Sequence, residues 1–465
     1  MDFMTIWPPK PGTLRRPAYR SLAEAVVAAV NAGLLSPGDR LPTHRQMAFD
    51  LGLSVQTVSR AYDELIRRGV VNGEVGRGSF IRRPQAEAAT PFAPDRQFGG
   101  DIDLSLLKPV LEQAHLNAMR DVLAALSENF PTTAISSFRP SSALRAYQPA
   151  AERWLKRCGL PLERQSVLLT NGATAAMTVA LMTVAQPGDL ILAEALSHHT
   201  LKTLTRYLGM RVAGLATDEQ GILPESLAAA CARDPVKALY VMPSGLNPQA
   251  AMMGTRRRGE LAEIARAHDI AIIENDAWGP LQPGRPAPVS ALARERSFYF
   301  TSLTKCILPG LRIGFLVVPE TRESAAASRH LVTNWMATPL MAEIAARWIN
   351  DGTADDLLQR QRAALAERNA LAERILHGLP FRASINGMHV WLPLEPPWRD
   401  AVLVEHARIN GVAIAPGTTF ALDGGERRPG VRICLGGESR ENLERGLEVI
   451  SRLLRSAPEP VLMAI

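Results

Sequence analysis

Apolar positions along the chain follow two different periods. Between Tyr19 and Arg68 they recur every three or four residues, as at Leu22, Ala25, Val26, Ala29 and Val30. That is the stripe of an amphipathic helix. Turn chemistry over Gly33-Leu-Leu-Ser-Pro-Gly-Asp-Arg-Leu-Pro42 closes it. Thr43 then caps a second helix over His44–Leu51, and Ser54 caps a third over Val55–Arg68. Two short strands, Val70-Val71 and Ser79–Ile81, flank a glycine-rich turn. From residue 166 the period changes. Short apolar runs recur at Ser166–Leu169, Asp189–Ala193, Met210–Ala213, Lys237–Met242, Ile270–Ile273, Ser297–Phe300 and Ile313–Val318, most of them separated by helical stretches. Apolar strands alternating with helices predict a mainly parallel sheet covered on both faces, with ligands at the carboxyl ends of its strands.

A chain of 465 residues is too long for a single core. The pattern divides it into an extended arm (1–18), a small helical domain (19–82), a proline-bearing linker without periodicity (83–100) and an α/β domain (101–465). Asn386–Leu394 and Ala413–Ile433 predict a smaller C-terminal α/β subdomain, beginning near residue 360. Charge sharpens this division. Residues 1–83 carry 12 Lys and Arg against 7 Asp and Glu, so nearly all of the net charge of +6 sits in the first sixth of the chain. A basic small domain on a neutral large one points to a polyanionic partner for the former. Cys158, Cys231, Cys306 and Cys434 are scattered with no C-x-x-C pair, which indicates neither zinc nor a disulfide framework. No apolar run is long enough to span a bilayer, so the expectation is a cytoplasmic protein without membrane contact.

The small domain reads as helix–turn–helix with a glycine-rich wing. Its run L-P-T-x-R-x-x-A-x-x-L-G-x-S-x-x-T-V-x-R-A-Y-x-E-L, continued by G-R-G-x-F, resembles the winged helix of the GntR family of bacterial regulators. Ser54, Gln56, Thr57, Ser59 and Arg60 lie at the start of the third helix, the part that enters a major groove of double-stranded DNA. Arg45 is placed near the DNA backbone, and Arg77, between two glycines, near a phosphate or in the minor groove.

In the large domain the stretch Ser302-Leu-Thr-Lys305 follows an apolar strand and leads to Pro309-Gly-Leu-Arg312. A lysine at the end of a buried strand is badly placed for a surface charge and well placed as a desolvated amine. The spacing resembles the lysine segment of fold-type I pyridoxal-phosphate (PLP) aminotransferases. The resemblance implies that Lys305 carries the cofactor as a Schiff base while Ser302 and Arg312 hold its phosphate. It also implies a phosphate-binding turn at Asn171, Gly172 and Ala173, a ring-stacking residue at His198, and a donor to the phenolic oxygen at Asn247. A carboxylate-binding arginine falls on Arg432. Two departures stand out. The glycine after Asn247-Pro248 is replaced by Gln249-Ala250. The aspartate that faces the pyridine nitrogen falls on Asn275, with Asp276 beside it and Trp278 in place of a tyrosine. Successive strand residues face opposite ways, so Asp276 substitutes only if the strand end is bulged or shifted.

Together these features resemble the MocR subfamily of GntR-family transcription regulators. That implies a homodimer with PLP as cofactor, double-stranded DNA as partner and a small amino compound as effector. Two other readings stay open at this point: a working aminotransferase that carries a DNA-binding domain, and a DNA-binding protein whose large domain has lost the cofactor. The run Arg256-Arg257-Arg258 is expected to be a helix surface.

Overall fold

The computed structural model describes residues 8–9, 12–31, 34–36, 38–68, 70–74, 78–81, 102–136, 145–245, 247–424 and 429–458. The chain divides into two compact units, Met1–Phe98 and Gly99–Ile465.

In the first unit the helical stripe becomes α1 (Ala18–Asn31), packed on α2 (His44–Leu51) and α3 (Val55–Arg67). The cap signals act as the sequence suggests: Thr43 Oγ1 accepts from Gln46 N at 3.2 Å and Ser54 Oγ from Thr57 N at 3.1 Å. Gly52 closes α2 in the left-handed conformation that a side chain disfavours, with φ 65. Strands β1 (Val71–Glu74) and β2 (Gly78–Ile81) pair antiparallel. Residues 38–41 add to their edge through Leu41 N to Ser79 O and Ile81 N to Asp39 O, both 2.8 Å. Leu22, Val26, Met47, Val58, Tyr62, Leu65 and Ile81 form one core, and the buried Tyr62 hydroxyl donates to Pro42 O at 2.8 Å.

The second unit is built on seven strands: β3 (Gln165–Thr170), β4 (Leu190–Glu194), β5 (Arg211–Leu215), β6 (Val236–Val241), β7 (Ala271–Asn275), β8 (Ser297–Ser302) and β9 (Gly314–Pro319). Their order is β3-β9-β8-β7-β6-β4-β5. Only β9 runs antiparallel to its neighbours, because Lys305–Ile313 returns the chain directly alongside β8. Helix Ala173–Val184 packs on the face carrying Ile191, Tyr240, Ile273, Phe298 and Phe300. The opposite face meets helix Thr255–Ala267 on Ile272 and Leu239, and Trp154 and Trp348 on Tyr299 and Phe315. Each fully buried large apolar side chain here stabilises the unit by roughly 1.5–3 kcal/mol.

A four-stranded sheet of Arg382–Ala383, His389–Pro393, Gly430–Cys434 and Ala415–Pro416 forms the C-terminal part, with helices Thr353–Ile375, Asp400–Ile409 and Arg440–Leu454. Ile102–Asp103 pair with Val412–Ala413, so the first described residues of this unit are tied to its last third. The expectation for the arginine run is corrected. Arg256 is exposed, but Arg257 is buried against Asp218 and Arg258 is fully buried, donating to the carbonyls of Met253, Pro243 and Ala287. A guanidinium has enough donors to satisfy several loop carbonyls at once.

Candidate functional site

At the carboxyl end of β3 the chain turns through Asn171 and Gly172 into helix Ala173–Val184. Gly172 holds φ 82, and a Cβ on it would sit 2.9 Å from Arg312 Nη2. The turn is therefore open only because residue 172 is glycine. Arg312 itself has φ 51, an uncommon conformation for a side-chain-bearing residue. Ser302 ends β8, fully buried, and Thr304 Oγ1 is buried with no partner among the described residues. A helix N-terminus, an arginine and two hydroxyls, one of them unsatisfied, fit a phosphate group. Asn171 does not take part through its side chain. Its Nδ2 donates to Met336 O at 3.0 Å and its Oδ1 accepts from Thr338 N at 3.1 Å, so the side chain braces the neighbouring loop while the backbone stays in the turn.

A cavity of about 230 Å³ opens beside this turn, lined among others by Met177, His198, His199, Asn275, Trp278 and Lys305. Burial, reinforced by His199, Lys305 and Arg432, pushes the His198 imidazole well below its usual range, and its Nδ1 lies 2.8 Å from Thr200 Oγ1. His198 is thus a neutral ring, stacked on His199 at 4.5 Å. Trp278 presents its ring, while its Nε1 donates to Gly245 O at 3.0 Å. It leaves no donor of the kind a tyrosine would offer.

Strand alternation decides between the two residues at the end of β7. Asn275 lies on the Tyr240 face and lines the cavity. Asp276 N bonds Phe300 O, with no bulge, and the side chain turns to the opposite face. There Arg285 clamps it with bonds of 3.0 and 2.7 Å, and Tyr299 donates to it at 2.5 Å. The expectation that Asp276 shares the ring-facing role is therefore corrected.

Lys305 is the titratable amine of the cavity, and burial, with Arg432 and Arg312 nearby, lowers its pKa. Its Nζ donates to Leu107 O at 2.5 Å. Among the described residues, the partners of buried Arg432 are all uncharged. Nη1 donates to Asn247 Oδ1 at 2.9 Å, Nη2 to Ser105 O at 2.7 Å, the plane lies over Phe420, and Nε has no partner. A buried guanidinium in this state suits an oxyanion.

In the first unit, Arg45, Ser54, Gln56 and Arg60 are exposed, and Thr57 and Ser59 are half-buried. Ser54 and Thr57 bond each other at 2.8 Å as part of the α3 cap. The Arg60 guanidinium lies 5.2 Å from the centroid of the Tyr19 ring, so α1 steadies it. Arg77 and the linker 83–100 lie outside the described residues.

The family Aminotransferase class I and II matches residues 103–450, and Bacterial regulatory proteins, gntR family, matches residues 18–81. The chain is a MocR-subfamily protein. It is 26% identical to the uncharacterized HTH-type transcriptional regulator YdeF of Bacillus subtilis, over 96% of each chain. It is 27% identical to the pyridoxine biosynthesis regulator PdxR of Corynebacterium glutamicum, over 81% of this chain and 83% of that one. It is 26% identical to the probable rhizopine catabolism regulatory protein MocR of Rhizobium meliloti, over 86% of each. Among solved structures, kynurenine aminotransferase of Pyrococcus horikoshii superposes with a TM-score of 0.71 at 20% identity, covering 77% of this chain and 91% of that one. That likeness carries the fold alone.

Several residues of this MocR-subfamily site escape sequence reasoning. Thr304 adjoins Lys305, and its place in Ser-Leu-Thr-Lys was its only signal. Ser105 and Leu107 contribute backbone carbonyls, which leave no trace in residue type. Tyr240 sits behind Asn275 and shows only as one apolar position of β6.

Proposed function

We propose that this chain is a DNA-binding transcription regulator whose large unit holds PLP covalently through Lys305 and senses a small amino compound bearing an oxyanion. The observation that carries the reading is the pairing of Lys305 and Arg432 across one site, each bonded to an uncharged carbonyl. When bound, PLP supplies an aldehyde carbon that can carry either the lysine or a ligand amine. The turn at Gly172, with Ser302, Thr304 and Arg312, would hold the phosphate, and His198 would lie against the ring. Arg432 would orient the ligand's oxyanion through Nε and Nη2, displacing the Ser105 carbonyl. Lys305, whose pKa is lowered by burial, would hold the cofactor and, when free of it, could take up or give a proton within the cavity.

Both carbonyls belong to one segment, Ser105–Leu107, which continues in the chain toward the linker and the winged helix. Cofactor attachment would draw Lys305 from Leu107 and ligand entry would draw Arg432 from Ser105, so both events act on this one segment, which supports coupling between the ligand site and DNA binding. A homodimer, expected from the resemblance, would present two winged helices to one operator.

The test combines a spectrum and a DNA assay. Purified protein with PLP should show a band at roughly 410–430 nm, lost in Lys305→Ala, and borohydride should fix the cofactor to Lys305. A panel of amino acids and amino sulfonates should change both the band and operator affinity. Ethylamine, lacking an oxyanion, should change neither at matched concentration. A spectrum indifferent to PLP sinks the cofactor reading, and rapid multiple-turnover transamination would make the chain an enzyme first. Arg60→Ala should lower specific DNA affinity by about 1–3 kcal/mol if it reads a base.

A further inference from the structure

Resting on the reading that this site holds PLP, the geometry points to Tyr240 as a positioning residue for the cofactor's ring nitrogen. Together with the backbone N–H of Ala277, it fixes the Asn275 amide so that an N–H meets that nitrogen and keeps it unprotonated.

Tyr240 is fully buried on β6 and pairs in register with Ile273 of β7; Asn275 is two residues further on and on the same face. Asn275 Nδ2 donates to the Tyr240 hydroxyl at 2.7 Å, and Asn275 Oδ1 accepts from Ala277 N at 3.1 Å. The second bond settles the orientation of the amide. A backbone N–H can only donate, so the atom facing Ala277 is the oxygen and the atom facing Tyr240 is the nitrogen. Nδ2 has two protons and spends one on Tyr240. The other is free in a side chain that lines the cavity. A pyridine nitrogen offers one lone pair, and a free N–H is its match. A protonated nitrogen would instead need the oxygen, which the Ala277 N–H holds through one of its two lone pairs.

The surrounding charges favour the same outcome. Lys305 and Arg312 line the cavity, and Arg432 lies close enough to depress the Lys305 and His198 pKa values. Once the cofactor is held, Lys305 is its link and Arg312 faces its phosphate, which leaves Arg432 as the cation that a further positive charge on the ring would meet. The carboxylates nearby are engaged elsewhere: Asp276 faces Arg285 and Tyr299, Glu194 accepts from Met242 N and Ser197 Oγ, and Glu274 accepts from Val289 N and Ser290 N. Tyr240 stands outside the cavity wall and acts only through Asn275. Its hydroxyl can donate as well as accept, so Asn275→Asp would find the same two partners ready and reverse the polarity toward the ring by exchanging one nitrogen for oxygen.

The experiment loads the full chain with PLP labelled with ¹⁵N in the ring and reads the ring nitrogen by NMR near neutral pH. The expected resonance of the parent protein is that of an unprotonated, hydrogen-bonded pyridine, and that of Asn275→Asp is the upfield position of a pyridinium. Tyr240→Phe removes one anchor of the amide. Its resonance should move toward that of a pyridine without a hydrogen bond, and cofactor retention should fall roughly two- to tenfold. In an Asn275→Ala background the same Tyr240→Phe change should move neither. A pyridinium resonance in the parent overturns the inference while leaving the cofactor reading intact. So does a Tyr240→Phe variant that loses thermal stability but keeps the parent resonance, since Tyr240 would then be structural only. A chain that takes up no PLP overturns the underlying reading and this inference with it.

Discussion

At one end of the cavity Gly172, Ser302, Thr304 and Arg312 stand as a phosphate holder requires. At the other, Asn275 and Trp278 stand where the resemblance puts an aspartate and a tyrosine. The two ends lie on the same sheet, yet one leaves a buried hydroxyl without a partner among the described residues and the other fixes the orientation of its polar groups through bonds to the protein. Thr304 Oγ1 is unpartnered, whereas Trp278 Nε1 and the Asn275 amide are bonded to Gly245, Tyr240 and Ala277. On the proposed reading, anchoring and electronic control of the cofactor are separable in one fold. Retention of the first with alteration of the second is what a sensor needs, since holding a ligand asks for a phosphate site and an amine, and carbanion chemistry asks for a protonated ring as well.

Four substitutions would break or sharpen this comparison. The largest effect is expected from Asp276→Asn, which removes the ion pair and leaves Arg285 a buried cation without its carboxylate. Stability should fall by about 3–5 kcal/mol by denaturant unfolding, with cofactor retention per folded molecule unchanged. A loss of retention instead would return Asp276 to the ring end.

Glu194 supports the loop that carries His198, through Ser197. Burial raises its pKa from 4.5 to about 7. A carboxyl with a raised folded pKa contributes stability in full below the unfolded value and loses it as pH rises through the folded one. From pH 4.5 to about 7 this group should therefore cost the large unit roughly 3 kcal/mol, at 1.36 kcal/mol per unit. Glu194→Gln should flatten the profile in that window, and an unchanged slope would assign it to other groups.

Gly172→Ala tests the phosphate end. The left-handed φ and the contact with Arg312 together should weaken PLP retention by about 2 kcal/mol, some thirtyfold, by titration of the visible band. The smallest change is expected at Ala250, which holds φ 55 where the resemblance expects glycine. Ala250→Gly should stabilise the fold by about 0.5–1 kcal/mol, the relief of a left-handed residue less the added entropy of the unfolded chain. Destabilisation would show that the buried methyl matters more than the strain.

The sequence by itself determined the two units, the three helices and wing, and all seven strands of the main sheet, because each rests on local periodicity and on caps or turns written in residue type. It also singled out Lys305, Arg312 and Arg432 through the resemblance, since charged residues at a fixed distance from strand ends are visible in residue type. Only the tertiary structure decided that Asn275 and not Asp276 lines the cavity, because the face of a strand end depends on whether the ladder bulges there. The same holds for Asn171, whose side chain is claimed by a loop more than 160 residues away in sequence. Arg257 and Arg258 look like surface charges in a row, yet packing against Asp218 and three carbonyls buries them. The carbonyls of Ser105 and Leu107 were beyond any reading of residue types. Every residue carries such an acceptor, and only the fold brings these two to Arg432 and Lys305.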